Sequence, residues 1–391
     1  MARDVITGRE LATLMADLVP IGLSEDGTTR LAWTEEDEAA AGWFARRAAE
    51  LGRRMERDPA GNLWACPDGG GPWWAVGSHL DTVRRGGRYD GALGVAAGFA
   101  VAARARAPVA VISFADEEGA RFNTPTFGSR ALVGRLDADD AVLRVDDTGV
   151  ALGDAMAAAG INPDGLGAAP EWLDRLRGFL ELHIDQTREL AAARAPAGVV
   201  SRLATRLRLQ ASLDGRADHA GTTPREERRD ALAAAARLIV RADELAAPGM
   251  VVTAARLEVY PNAPTTVPAQ ARLWLDARGP EEAAVDAWRV AVAAAAAKIA
   301  DAGGIELGLR TAARSAGIEF AREVRAALGP DLPELVCFAG HDAGIVAERR
   351  PAGMVLVRNE TGISHSPDEE VDLADAAVAA NAVLAAVEAL A

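Results

Sequence analysis

The sequence predicts an α/β fold, a mixed-sheet domain into which a smaller α+β domain is inserted. Three observations carry this. At 391 residues the chain exceeds what one hydrophobic core ordinarily fills, so two domains are expected. Two apolar runs, Trp73-Trp74-Ala75-Val76-Gly77 and Pro108-Val109-Ala110-Val111-Ile112-Ser113-Phe114, read as buried strands. Each ends beside residues that carry chemistry, and small residues over 91–106 make a tightly packed helix between them. Farther along, strands at 199–214, 251–260 and 269–278 alternate with helices at 225–246 and 280–302, the second holding the Ala-rich run 291–297.

Taken in order, residues 4–19 and 35–52 show helical spacing, and Thr34 before Glu35-Glu36-Asp37 supplies a capping hydroxyl and a negative first turn. The strand, ligand, helix, strand, ligand sequence follows, then the inserted block. The chain returns through a helix at 315–328, a strand near 334–338 and a strand at 353–358. This places 1–203 and 314–391 in the first domain and 204–313 in the insert. No internal repeat or low-complexity linker interrupts it.

Composition narrows the function. Half the residues are apolar and a quarter charged, as in ordinary soluble globular proteins. The formal charge of −15, from 42 basic and 57 acidic residues, argues against nucleic acid or an anionic membrane as partner. Cys66 and Cys337 match no pairing motif and read as free thiols of a reducing cytoplasm. The N-terminus lacks an apolar signal core, and Arg, Asp or Gly breaks the longest apolar stretches, so no membrane span is expected.

The chemistry is concentrated in a few segments. His79 and Asp90, in His79-Leu80-Asp81-Thr82-Val83 and Gly86-Gly87-Arg88-Tyr89-Asp90-Gly91, are ligands that zinc, manganese or cobalt accept. Asp81, two residues beyond His79, is placed to hold the imidazole's other nitrogen. Asp116-Glu117-Glu118, Leu182-His183-Ile184-Asp185-Gln186 and Ser364-His365-Ser366-Pro367 complete a set of three histidines, an aspartate and a glutamate. That is enough for two metals sharing one carboxylate, with Glu117 left over as a base. A lone histidine is more often structural, but all five in this chain (His79, His183, His219, His341, His365) have Gly, Asp or Ser nearby, and none lies inside an apolar helix. Asp90 alone would read as a turn residue; after His79 and a Gly-Gly turn it reads as a ligand. Glu117-Glu118 directly follows an apolar strand, where adjacent carboxylates repel unless a cation intervenes. Arg278, on spacing alone, reads as a surface ion pair.

These motifs, with Phe114-Ala115-Asp116-Glu117-Glu118-Gly119-Ala120-Arg121-Phe122, Gly128-Ser129-Arg130-Ala131-Leu132-Val133-Gly134, His219-Ala220-Gly221-Thr222-Thr223-Pro224, Asp276-Ala277-Arg278 and Gly340-His341-Asp342-Ala343, resemble the metal-dependent amidohydrolases acting on N-carbamoyl groups. That family includes N-carbamoyl-L-amino-acid hydrolase, allantoate amidohydrolase and β-ureidopropionase, within the dinuclear-zinc aminopeptidase-like superfamily. The likeness runs from roughly residue 8 to 390. It implies an aminopeptidase-like catalytic domain with a ferredoxin-like lid and dimerisation domain. His79, Asp90, Glu118, His183 and His365 match the ligands of two divalent ions (Zn, Mn, Co or Ni), with Asp90 bridging. Glu117 matches the general base and acid. Gln186, His219, Arg278 and His341 match substrate contacts, and in such homodimers the lid histidine, here His219, reaches the partner's site. The implied substrate is a small molecule bearing a carboxylate, and carbamoyl hydrolysis would release ammonia and carbon dioxide.

Three positions depart from the family pattern. Thr265 stands where Asn is usual thirteen residues before the arginine, Asp185-Gln186-Thr187-Arg188 replaces Glu-Gln-Gly-Pro, and Arg225 replaces Met. A threonine hydroxyl is shorter than the asparagine amide it replaces. The departures bear on which linear C–N bond is cleaved, and leave open an acyl-amino-acid deacylase or dipeptidase. A silent binding protein would be expected to lack a ligand, and none is lacking.

Overall fold

A mixed β-sheet positions the histidines and carboxylates. The computed structural model describes residues 5–167 and 169–391, so the Asp4 end of the expected 4–19 helix lies outside the described residues. The chain divides into two units: one comprises the residues up to Ser201 with Phe320–Leu335 and Ala339–Ala391, the other Arg202–Glu319 with Val336–Phe338.

In the first unit, helix α1 (Gly8–Ala16) starts at Thr7, whose side chain accepts the Glu10 N–H, and α2 (Glu35–Glu50) starts at Thr34 in the same way through Asp37. A hairpin of β1 (Met55–Arg57) and β2 (Leu63–Ala65) precedes β3 (Trp73–His79), α3 (Ala92–Ala102) and β4 (Val109–Phe114). Strands β5 (Leu176–Ile184) and β6 (Ala197–Leu203) follow, and after the second unit come β7 (Ala352–Val357) and α4 (Leu373–Leu390). Seven of the nine strands in this sheet stand in the order β6-β7-β5-β3-β4-β2-β1; the other two are short, Ile318–Glu319 and Glu334–Cys337, the latter matching the strand expected near 334–338. Strands β7, β5, β3 and β4 run parallel, and β6 and β2 are antiparallel to their neighbours. Every residue of β3, β4 and β7 is buried, which is why these strands read as continuous apolar runs. Helix α3 is buried along Ala92–Val101 and lies close to the sheet because Gly94 and Gly98 carry no side chain. A Cβ on Gly94 would stand 2.1 Å from the Leu182 carbonyl oxygen.

The sequence reading found neither the β1–β2 hairpin nor α4. The hairpin strands are three residues each, too short to show a period. Helix α4 has little polar face because Ala376, Ala380, Val383 and Val387 sit in the main core. Its mean hydropathy of 1.6 makes it long and apolar enough to cross a membrane by length and composition, contrary to the expectation from broken apolar stretches. Half of it, however, is buried inside the protein.

In the second unit, four antiparallel strands are ordered Val251–Tyr260, Gln270–Gly279, Thr205–Asp214, Glu306–Ser315. Helices Ala231–Glu244 and Glu282–Gly303 cover one face, where Leu207, Leu209, Leu273, Leu275 and Trp288 form its core. This βαββαβ order is ferredoxin-like. The helix expected at 315–328 runs only from Arg322 to Leu328, because Ser315 still ends the fourth strand and Ile318–Glu319 form a short strand of their own. Almost every side chain of that strand is at least partly exposed, and its register slips between Thr311 and Ala313, which erases the alternation a sequence reading depends on. Pairing continues to Ser315 opposite Arg206, so the unit extends past 313 to Glu319.

Candidate metal centre

The parallel strands deliver the candidate ligands from their C-terminal ends, the edge at which α/β sheets gather their sites. His79 closes β3 opposite Phe114 of β4, and His183 lies one residue before the end of β5 opposite Leu356 of β7. Asp90 sits just before α3. Gly91, at φ +63°, lets the chain turn there, and a Cβ on it would meet the His79 ring at 2.4–2.5 Å.

Both buried histidines have fixed tautomers. His79 Nδ1 donates to the Asp81 carbonyl at 3.0 Å, and His183 Nδ1 donates to the Ile184 carbonyl at 3.1 Å. In the neutral ring each Nε2 then keeps a lone pair. Burial lowers both imidazoles, but Asp90 outweighs it, raising His183 to about 9 and His79 well above its ordinary value, so Nε2 carries a proton that a cation would replace; His79 Nε2 is buried with no hydrogen-bond partner. The two nitrogens face one oxygen of Asp90, at 3.4 Å from His79 and 3.1 Å from His183. The other Asp90 oxygen lies 3.7 Å from His365 Nε2, which is itself 3.3 Å from Glu118 Oε1. Two groups thus form, His79–Asp90–His183 and Asp90–Glu118–His365, each with its ligand atoms within 4.8 Å of one another. The five residues meet as two three-ligand clusters sharing Asp90.

The electrostatics of this corner fit a divalent cation. Burial, reinforced by Asp90 and Asp81, pushes the Glu118 carboxyl up to about 8. Burial likewise raises Glu117 well above its ordinary value, with Asp342, Glu118 and Asp81 adding to the effect and His79 opposing it. Asp90 is the exception: burial would raise it, but His183 and His79 hold it well below the carboxylate range. Crowded acids beside imidazoles whose protons a cation would replace are a donor set for a positive ion.

Asp81 does not hold the imidazole through its carboxylate, as the spacing suggested. That nitrogen is taken by the Asp81 main-chain carbonyl, and the nearest carboxylate oxygen is 3.6 Å away. The carboxylate instead accepts the backbone N–H groups of Glu117 and Glu118, each at 3.1 Å. Two neighbouring N–H groups at the end of a strand offer a carboxylate a bidentate seat that outweighs one imidazole N–H.

Gln186 donates to Asp90 Oδ2 at 3.0 Å and to Ser364 Oγ at 3.2 Å. Thr187 donates its N–H and hydroxyl to Asp185, which closes that turn. His341 is buried, its ring centroid 4.4 Å from that of His183 and both its nitrogens unpartnered. Burial and the nearby His183 hold it well below the ordinary histidine value. Glu181 also lies near these two rings, but both its oxygens are engaged, by Ser78 Oγ at 2.7 Å and the Ala343 N–H at 2.8 Å.

Sequence reasoning missed Ser364 and Glu369. Ser364 Oγ donates to Asp90 Oδ2 at 2.9 Å, and buried Glu369 accepts the Tyr89 and Asp90 N–H groups at 2.9 and 3.0 Å. Glu369 falls four residues after His365 among other acids, and no spacing rule singles it out. Its contact with Gly87 offers a signal: a Cβ there would stand 2.3 Å from the Glu369 carboxylate.

His219, Thr265 and Arg278 belong to the second unit. His219 is exposed, and its Nδ1 accepts the Gly221 and Thr222 N–H groups at 3.1 Å each, which leaves Nε2 as the protonated donor. Thr265 is exposed and its carbonyl accepts the Ala220 N–H at 2.9 Å; Arg225 is exposed. Arg278 donates Nε to Asp276 at 2.9 Å and Nη1 to the Phe338 carbonyl at 2.7 Å, so the ion pair read from spacing is present.

A mixed sheet with paired His/Asp/Glu clusters at its parallel strand ends defines a metallohydrolase. The chain belongs to Peptidase family M20/M25/M40, whose sequence profile matches residues 75–389. It is 35% identical to an N-carbamoyl-L-amino acid amidohydrolase of Geobacillus stearothermophilus, over 96% of this chain and 97% of that one. It is 30% identical to the allantoate amidohydrolase of Bacillus subtilis, over 90% of each. A hydantoinase/carbamoylase family amidase from Burkholderia ambifaria has a similar structure, with a TM-score of 0.86, 30% identity, and 99% and 98% of the two chains covered.

Proposed function

We propose that this protein hydrolyses a linear C–N bond in an amino-acid-like substrate, with an N-carbamoyl amino acid or an allantoate-like compound as the leading class and ammonia and carbon dioxide as products. The observation that carries the reading is Asp90, one oxygen facing His79 and His183 and the other facing His365. Shared in this way, it suits two divalent ions: His79, Asp90 and His183 would hold one, and Asp90, Glu118 and His365 the other. When bound, such ions supply Lewis acidity toward the substrate carbonyl and the attacking water.

The chain's own residues account for the remaining steps. Glu117, buried and raised in pKa, accepts a proton from the attacking water and returns it to the departing nitrogen. Asp81 fixes the Glu117 backbone while it does so. His219, with Nε2–H as its free donor, steadies the oxygen that gains charge, a role in which one donor is worth on the order of 3 kcal/mol. Arg278 takes the substrate carboxylate, with Gln186, Thr265 and His341 as further substrate contacts. Cys66 and Cys337 are not joined in a disulfide, which suits a reducing cytoplasm. A homodimer is part of this reading, and the exposed Val251, Leu257 and Tyr260 on an outer strand of the second unit are compatible with it.

The test is ammonia release by manganese- or zinc-loaded protein from N-carbamoyl-L-amino acids, allantoate, ureidopropionate, N-acyl amino acids and dipeptides. Ammonia from a ureido compound, abolished by a chelator, is the expected result. Free amino acid without ammonia, from an acyl or peptidyl substrate, would replace this reading with a deacylase or dipeptidase.

A further inference from the structure

We infer that Asn62 is a positioning residue for Glu117 and Glu118, acting through the backbone of the segment that carries them. The inference rests on the roles proposed above for those two glutamates. Asn62 directly precedes β2, which pairs with β4 through Leu63 and Ser113. Beyond that pair the ladder stops, and the Asn62 side chain takes over, its Oδ1 accepting the Ala115 N–H at 2.9 Å. Its amide nitrogen donates to Asp58 Oδ2 at 2.7 Å and to the Gly128 carbonyl at 3.1 Å. Asp58 is fixed in turn by the Ala60 and Asn62 N–H groups and by Trp64 Nε1, at 3.0–3.1 Å. Asn62 and Asp58 are both buried.

The segment from Ala115 to Glu118 contains a conformation that needs holding. Asp116 has φ +47°, in the left-handed region that costs a non-glycine residue on the order of 1 kcal/mol or more. Its neighbours are clamped on every side. The carbonyls of Ala115, Asp116 and Glu117 accept the N–H groups of Gly128, Phe127 and Thr126 at 2.8, 3.2 and 2.6 Å, and the Glu117 and Glu118 N–H groups reach Asp81. Asn62 supplies the bond at the entry to this segment, the Ala115 N–H. The position calls for one acceptor and two donor hydrogens on a short side chain, which asparagine offers and aspartate, serine or leucine does not. The fit leaves no slack, because a Cβ on Gly128 would stand 1.9 Å from Asn62 Oδ1 and 2.6 Å from the Ala115 nitrogen.

The experiment is a two-site titration of metal-free protein with Mn²⁺, followed calorimetrically, on wild type, Asn62→Leu, Gly128→Ala and Asn62→Asp, with kcat and KM measured on whichever substrate releases ammonia. In Asn62→Leu and Gly128→Ala the site containing Glu118 should weaken by about tenfold or more, while the His79–His183 site stays within about threefold. In both, kcat should fall with KM nearly unchanged. Asn62→Asp, which keeps the oxygen for Ala115 and loses both donors, should bind closer to wild type despite lower resistance to denaturant. A merely structural role would lower stability in all three and leave the two sites equally affected, and that result overturns the inference. If Asn62→Leu does not fold, Gly128→Ala decides, since it keeps both polar side chains of the Asp58–Asn62 pair while its methyl group pushes Asn62 Oδ1 off the Ala115 N–H. Wild-type protein that binds no Mn²⁺ sinks the site reading itself, whereas two wild-type ions bound with unchanged affinity in the folded variants refute the role of Asn62 alone.

Discussion

Asp81 and Glu117 are joined by a 3.1 Å bond from the Glu117 N–H to the Asp81 carboxylate, while the carbonyl of the same aspartate fixes His79 at 3.0 Å. One residue therefore orients a candidate ligand with its main chain and the candidate base with its side chain. Asp81→Asn keeps one acceptor oxygen but turns an amide N–H toward one of the two glutamate N–H groups. The expected outcome is a 10- to 100-fold loss in metal affinity or kcat, roughly the range for outer-shell partners of a metal site. Metal titration beside steady-state kinetics checks it, and wild-type values in both would remove Asp81 from the site.

Glu117→Gln removes the proposed proton acceptor while preserving size and burial. Metal content measured by mass spectrometry should stay at the wild-type level, and kcat should fall by roughly 10²- to 10⁴-fold. Retained activity would show that another group moves the proton.

Gly91→Ala tests the packing behind His79. The added methyl group meets the imidazole and sits on a backbone at φ +63°. A loss of about 1–3 kcal/mol in stability, measured by urea unfolding of the metal-free protein, should accompany weakened metal binding. Normal stability and binding would mean that the loop before α3 relaxes freely.

Asp58 links stability to pH. Burial raises its carboxyl to about 6, against the lowering effect of the Asn62, Trp64 and Ala60 hydrogen bonds. An unfolded aspartate titrates near 4, so between roughly pH 4 and 6 the folded state holds more protons than the unfolded one. The stabilisation associated with the protonated form is complete below pH 4 and is lost as pH rises through 6. Asp58→Asn has no such slope. Its destabilisation relative to wild type should therefore shrink between pH 4 and 7, by up to about 3 kcal/mol. Urea unfolding of both metal-free proteins across that range checks it, and a widening gap would show that Asp58 is charged throughout.

Much of the candidate site is legible in the sequence because its proposed ligands are rare residues at the ends of apolar strands. His79 closes β3, and Glu117-Glu118 follows β4. The helpers are not legible in this way. Ser364 and Glu369 reach Asp90 across more than 270 positions of chain, and they act on a carboxylate oxygen or on backbone N–H groups, which leave no pattern. Asn62 is the same kind of case, a polar residue in a turn whose partner is an amide 53 residues away. In the fold, Thr34 and the strand Val109–Phe114 show their ends through capping chemistry and continuous apolar character. Helix α4 and the strand Glu306–Ser315 do not, the first because it has little polar face and the second because its side chains are mostly exposed.

The place of β7 between β5 and β6 sets a timetable for the newborn chain. While the polypeptide leaves the ribosome, the gap between residues 176–184 and 197–203 stays open until Ala352–Val357 has been made, and His365 emerges later still. The second unit is almost wholly one stretch, Arg202–Glu319, and can close its own core before that strand arrives. The insert can thus close ahead of the sheet it interrupts, and the candidate cation site is among the last parts to be completed. A candidate ligand placed as late as His365 cannot join His79 and Asp90 until nearly the whole chain has been made.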